Sequence, residues 1–531
     1  MLLLVVGLSA VTLILAYWLY GGYLRRIFEI DDRRATPAEM KADGVDYVSA
    51  SPGVVFGHHF SSIAGAGPIV GPILAALWFG WGPTWVWILV GAIFVGGMHD
   101  FGSLMMSLRN GGRSVSSVAE ELVGRPTAKL FALFLLFALI YVVVVFLDLT
   151  ASTFATTPIV ATASGWFVLV ALGFGYAQLR MNVSLGRAVG IFVPLSFLGL
   201  GVGHLLPAPA LEKEVWGVLI LGYCFLASIL PVNVLLQPRD FLSSFFLVAM
   251  LGLGLVGLFL SGASVEGAFF KGFSNPAASP AYLFPALFIT VACGACSGFH
   301  SVVASGTTSK QIRRESDALK VGYGAMLTEG LLAVFAMATV MVLSQGAVEG
   351  QTPVAIFSSG ASVFLLSLGI PASVGAAFTA LVLSTFLLTT LDTCTRLARF
   401  LLVELVGCEP GRHRMMGTLV VLLVPGIFIF LEFGGEPAWK VVWPLFGSTN
   451  QLIGALTLVT LFVFMRKEKR ASAMVGLPMV FMFLTPIVGL GFMVADSQLG
   501  LLLRVLAGVM MGLGLVVTLV ALRASFQRHS G

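Results

Sequence analysis

Apolar runs of about 18 residues or more recur along the whole chain, and each can cross a hydrocarbon core of about 30 Å as a helix. This pattern predicts spanning helices near residues 2–24, 53–79, 83–108, 127–149, 157–178, 188–206, 215–236, 241–262, 283–304, 320–345, 371–395, 415–432, 440–465, 474–494 and 499–522. That is about fifteen. Unbroken stretches such as Leu130 to Val145 are foreign to the short alternating strands of a β-barrel, so the expected class is an all-α polytopic membrane protein. Composition agrees: hydrophobic residues fill 58% of the 531 positions, charged residues only 10%, and no soluble globular class fits. The opening segment, apolar from Met1 to Tyr23 and followed by Arg25 and Arg26, lacks a basic leading region. It reads as a retained helix rather than a signal peptide.

Loop charges set the expected orientation. With the N-terminus outside, the inner loops receive Arg25, Arg26, Arg33, Arg34 and Lys41, then Arg109, Arg113 and Arg125, then Arg180, Arg187 and Arg239. Further along they receive Lys310, Arg313, Arg314 and Lys320, then Arg396, Arg399, Arg412 and Arg414, then Arg466, Lys467, Lys469 and Arg470, and finally Arg523 and Arg528, and the outer loops only Lys213, Lys271 and Lys440. This bias predicts N-outside and C-inside, and it accounts for the net charge of +5 without a nucleic-acid partner. The five cysteines, Cys224, Cys293, Cys296, Cys394 and Cys408, lie in or beside apolar segments, which argues against a disulfide framework. No Gly-rich loop ends in Lys-Ser/Thr, so an ATP-driven pump would need a partner chain.

An internal repeat points to a site. One shift of 241 residues aligns Gly53 with Gly294, Gly57 with Gly298, His59 with His300 and Gly65 with Gly306. In each half the next helix carries a carboxylate, Asp100 and then Glu329, and each half later shows a Leu-Asp pair followed by hydroxyls, at Asp148 and Asp392. The predicted topology runs the His59 and His300 helices in opposite directions, so the repeat is inverted. Gly65-Ala-Gly67-Pro68 and Ser305-Gly306-Thr307 should interrupt their helices and free backbone groups, as at the midplane sites of secondary transporters. Candidate substrate groups are therefore Gly65, Gly67, Ser301, Ser305, Gly306 and Thr307. The expected divisions are 1–51 (first helix and inner loop), 52–282 (first repeat with extra helices), 283–466 (second, inverted repeat) and 467–531 (C-terminal helices).

A charge at membrane depth costs at least about 2.5–3.5 kcal/mol on insertion scales and so needs a partner or a purpose. Asp100, Glu329, His58, His59 and His300, with Asp148 and Asp392, are the candidates for proton or ion coupling. Hydroxyls such as Ser301, Thr307 and Thr308 leave sodium open as the coupling ion. Cys293-x-x-Cys296-x-x-x-His300 has ligand-like spacing, so a bound metal held with His58 and His59 is the alternative for that cluster. No other cofactor is expected.

The stretches Phe56-Gly-His-His-Phe60, Gly65-Ala-Gly-Pro-Ile-Val-Gly-Pro72, Leu236-Gln-Pro-Arg-Asp-Phe241, Ala292-Cys-Gly-Ala-Cys-Ser-Gly-Phe-His300, Leu391-Asp-Thr-Cys-Thr-Arg396 and Trp443-Pro-Leu-Phe-Gly-Ser-Thr-Asn-Gln451 together resemble the carbon-starvation protein A (CstA) family. That resemblance implies an inner-membrane transporter linked to nutrient limitation, moving peptides or pyruvate with a proton gradient, on a LeuT-like core of broken helices. A membrane-embedded metabolite sensor is the competing class, and a membrane enzyme built on the His/Cys cluster a third. Uptake that collapses without the proton gradient separates a transporter from both.

Overall fold

The computed structural model describes residues 1–44, 46–275, 280, 282–407, 413–431, 438–497 and 499–527. Cys408 falls outside them. Its described elements are helices, joined by turns and one isolated bridge between Ser274 and Tyr282. Eleven helices are long and apolar enough to cross a membrane, or twelve if the bent pair Pro52–Ile63 and Gly67–Phe79 is one span. Of the fifteen segments expected, three coincide with shorter or interrupted helices: Lys213–Ile229, Arg414–Phe428, and the series Leu283–Thr290, Ala292–Ala295 and Gly298–Gly306. One helix, Pro353–Leu366, falls where none was expected.

Burial sorts these helices into a centre and a rim. In Leu445–Lys467, 94% of the most apolar window is buried, against 22% in Leu185–Leu205 and 33% in Leu2–Phe28. Rim helices keep large apolar side chains such as Leu4, Leu15, Trp18 and Leu19 on the outside. In water such a surface would drive association; in a bilayer it is the solvated face.

At the centre two interrupted spans cross. The first bends by 44° between Ile63 and Gly67. Its sequence explains the break: Pro68, in the first turn of the following helix, has no N–H to give the preceding turn. The second is interrupted at Cys296 and Ser297, both extended. The predicted interruption at Ser305-Gly306-Thr307 is thus displaced: Gly306 ends the helix Gly298–Gly306 and Thr307 caps it. No proline marks the true break. Instead Gly298 lies against the backbone of Asn450 and Gly454, an approach that leaves no room for a Cβ.

The two spans run antiparallel. His59 meets Thr308, Gly67 lies against Cys293, and Gly71 lies against the Thr290 carbonyl, so advancing along one means retreating along the other. The helix after each carries a π-helical turn, Gly91–Gly96 before Asp100 and Leu319–Tyr323 before Glu329. Such turns recur at functional sites, and here they strengthen the correspondence between the halves. Farther along, Arg125–Thr156 with Asp148 packs beside Ala372–Val406 with Asp392.

Candidate functional site

Nine titratable groups drawn from the crossing spans and their neighbours form two largely buried chains. In the first, His99 Nδ1 pairs with Asp100 Oδ1 at 2.7 Å, and Asp100 Oδ2 pairs with His300 Nδ1 at 2.7 Å. His300 Nε2 then approaches Glu329 Oε2 at 3.2 Å, an ion-pair separation without hydrogen-bond alignment. All four side chains are fully buried. This relay links three elements: Gly97–Arg109, the half-helix Gly298–Gly306 and Gly324–Met341. Both its ends are open, because His99 Nε2 and the Glu329 oxygens find no hydrogen-bond partner. Buried polar atoms are normally satisfied, so these ends stand out among the buried groups of the protein.

The second chain contains residues that the sequence reading assigned elsewhere. Arg239, expected in an inner loop, lies inside the helix Leu236–Ser261 and is 1% exposed. Its guanidinium forks onto Asp392, with Nη2 3.0 Å from Oδ1 and Nη1 also in contact, while Nε donates to Asp240 Oδ1 at 3.1 Å. Tyr223 donates to Asp392 Oδ2 at 2.8 Å. Asp240 Oδ2 in turn holds His58 Nδ1 at 2.7 Å, and Ser61 donates to the Asp240 carbonyl. Asp392 therefore sits deep in a 35-residue helix, fully buried and paired, rather than near a helix end. Arg396 and Arg399, also expected in a loop, are buried in that same helix.

His59 stands between the chains. Its Nδ1 pairs with Thr308 Oγ1 at 2.8 Å, while Nε2 is unpartnered, as is His58 Nε2. Beside the second break, Asn450 Oδ1 accepts from the Phe299 N–H at 2.9 Å and from Ser297 Oγ at 3.1 Å. A side chain from the helix Ala438–Lys467 thereby satisfies the first turn of the half-helix that carries His300.

The other expected residues divide. Gly65 lies at the first break, where a Cβ would stand 2.8 Å from Thr390 Oγ1, and Gly67 opens the next helix against Cys293. The hydroxyls of Ser301, Ser305 and Thr307 donate to carbonyls of their own helix, and Thr308 Oγ1 pairs with His59. Asp148 joins neither chain and pairs with Lys213 Nζ at 3.0 Å. Among the described residues no group of three or more His, Cys, Asp or Glu is disposed to hold a metal, so His58, His59, Cys293, Cys296 and His300 are not assembled as a ligand set. Arg239, Asp240, Tyr223 and Asn450 were missed as site residues. The signal was present in Leu236-Gln-Pro-Arg-Asp-Phe241 and Gly447-Ser-Thr-Asn450, two polar clusters opening apolar runs.

The family model described as carbon starvation protein CstA matches residues 1–350 and 345–489. The peptide transporter CstA of Campylobacter jejuni is 31% identical, over 90% of this chain and 78% of its own length. Bacillus subtilis has a peptide transporter CstA that is 29% identical, over 90% and 88%. The pyruvate/proton symporter BtsT of Escherichia coli is 29% identical, over 88% and 78%. Among solved structures, a mutant of the Eremococcus coleocola manganese transporter superposes with a TM-score of 0.58 at 10% identity, covering 92% of this chain and 99% of that one. MhsT in complex with L-phenylalanine gives 0.52 at 13%, covering 88% and 98%. At such identities the likeness is one of fold, the LeuT-like arrangement.

Proposed function

Since the chain belongs to the carbon starvation protein CstA family and is a multi-pass membrane transporter, we propose that it imports short peptides or pyruvate-like carboxylates together with protons. The observation that carries this reading is the His99–Asp100–His300–Glu329 relay, which ties the second interrupted span to its neighbours at both ends. A buried ion pair holds only while both partners keep their charge; neutralising one leaves the other unpaired in a low dielectric. A proton arriving at Glu329 cancels its attraction to His300, loosens that contact and frees the half-helix Gly298–Gly306 to tilt. A proton leaving to the inside restores it. Movement of a half-helix about its break is the step that exposes a central site alternately to the two sides.

The substrate's carboxylate is drawn to the crossing, where the interrupted backbones at Gly65 and Gly67 leave N–H groups outside regular helix. The N-outside orientation and the division into repeats at 52–282 and 283–466 belong to this proposal. They are supported by Arg25 and Arg26 at the end of the first helix, by Arg466 and Lys467 at the end of another, and by the antiparallel crossing.

The test is uptake of labelled dipeptide and labelled pyruvate into proteoliposomes, with proton and sodium gradients imposed separately. Uptake should follow the proton gradient, and Asp100→Asn and Glu329→Gln should each abolish accumulation. Accumulation that persists in both variants, or that follows sodium alone, refutes the proposal.

A further inference from the structure

Below the relay, the half-helix Gly298–Gly306 forms one wall of a second space. A cavity of about 470 Å³ opens beside Ser305 and Gly306 and is bounded by Tyr47, Lys310, Phe400 and Glu404, with Leu397 and Leu401 supplying apolar wall. That volume falls in the range of small-ligand sites. Its chemistry is unusual for a solvated loop end. Lys310 Nζ stands 5.4 Å from the ring centroids of both Tyr47 and Phe400, and among the described residues no carboxylate pairs with it. Asp46, the acid that acts on it most, is engaged by Arg396 Nη2 at 2.8 Å. Burial holds the Lys310 ammonium below its ordinary value of 10.5 in spite of Asp46, as for a cation removed from water without an anion of its own.

A second cation adds to the positive charge beside Phe400. Arg399 lies 4.4 Å over the Phe400 ring and its buried Nη1 has no acceptor. Arg113, by contrast, is spent on Glu121 and the Ser117 carbonyl. One acid also faces the cavity: Glu404, whose Oε1 accepts from Ser117 Oγ at 2.6 Å.

We propose that this cavity is a binding site for a small zwitterion, whose carboxylate pairs with Lys310, whose ammonium pairs with Glu404, and whose body lies against Tyr47, Phe400 and Leu397. Two features favour a zwitterion over a simple anion. A free cation and an accessible carboxylate share one cavity, and the aromatic rings that flank the cation suit a ligand with bulk beside its charge. The site lies apart from the relay but on the same half-helix, so an occupant bears directly on the element that carries His300. This inference rests on the transporter reading only in explaining why such a ligand would arrive there, and it selects the peptide over pyruvate at this position.

Equilibrium dialysis of labelled dialanine against the full chain in nanodiscs, without any ion gradient, tests it. The wild type should bind dialanine, and Lys310→Gln should weaken binding about tenfold or more, the scale of one lost charge-assisted contact. Lys310→Arg should stay within about threefold of wild type, which separates a lost charge from a damaged fold. Glu404→Gln should weaken dialanine while leaving N-acetyl-dialanine, which has no ammonium, unchanged. The proposal is overturned if the wild type fails to bind dialanine, if Lys310→Gln binds it as tightly, or if Glu404→Gln weakens both ligands equally. Because no gradient is present, a failure of proton coupling would leave this result intact, and a failure here would leave proton-driven uptake standing.

Discussion

Replacing Arg239 by methionine removes the one cation that serves two fully buried carboxylates. Asp392 would keep the Tyr223 hydroxyl and Asp240 would keep His58, but the fork onto Asp392 and the Nε contact to Asp240 would be lost together. Taking one partner from a buried pair costs about 3–5 kcal/mol, because the charge left behind is neither solvated nor matched. The upper part of that range is expected here, since two acids lose a partner. Adding Asp392→Leu to the same chain removes one of the two stranded charges and leaves Asp240 with His58 as its partner. The double variant should therefore recover part of the loss, about 1–2 kcal/mol of it. Arg239→Lys keeps a charge but cannot reach both acids with a planar fork, so it should fall between. Unfolding in detergent against a rising SDS fraction, followed by far-UV circular dichroism, gives the ordering directly. If the single variant is as stable as wild type, or the double variant is no better than the single, the guanidinium is not what holds these helices together.

Two further perturbations probe the second break. Gly298→Ala should destabilise by about 1–3 kcal/mol or prevent folding, because its methyl would meet the backbone of Asn450 and Gly454, which cannot step aside. Gly165→Ala, in a helix with open space at that position, should cost nothing in the same detergent unfolding assay; equal losses for the two would refute the packing argument. Asn450→Leu strands the Phe299 N–H and should cost about 1–3 kcal/mol, with a larger loss of uptake than of folded yield because the break itself is loosened. Equal thermal midpoints for wild type and Asn450→Leu would show that the half-helix end is satisfied by something else.

Much of the helical plan was legible because lipid imposes a simple rule on sequence. A run of apolar residues with no room for unsatisfied backbone must be a helix, so even the interrupted pair at 52–79 was placed as one segment. What escaped were the elements that depend on neighbours. Pro353–Leu366 is short, and its mixture of Ser and Gly with apolar residues gives no long run to recognise. The charged ends of Leu236–Ser261 and Ala372–Val406 were cut at their charges, since Arg239, Arg396 and Arg399 read as loop residues when no partner is known. Hydropathy assigns such side chains to water; a buried carboxylate or a backbone carbonyl on another helix reverses the assignment. Asp392 does this for Arg239, and Asp46 with the Leu230 carbonyl does it for Arg396.

The same distinction governs the site. His59, His300, Asp100 and Glu329 were found because a charge inside an apolar run is conspicuous by itself, and the structure brings Asp100, His300 and Glu329 into one chain. The second break was misplaced because its cause is not local. At Gly65-Ala-Gly67-Pro68 the proline withholds an N–H from the preceding turn and glycines flank it, so the weakness is written locally, whereas Cys296-Ser297 carries no such mark. Its extended backbone is fixed by Asn450, about 150 residues away in sequence, which caps the new half-helix, and by the space that Gly298 leaves for that neighbour. The crossing thus combines one break written into the chain and one imposed by packing. Of the two, the imposed break is the one that a change at Asn450 would disturb, because that side chain caps the half-helix bearing His300.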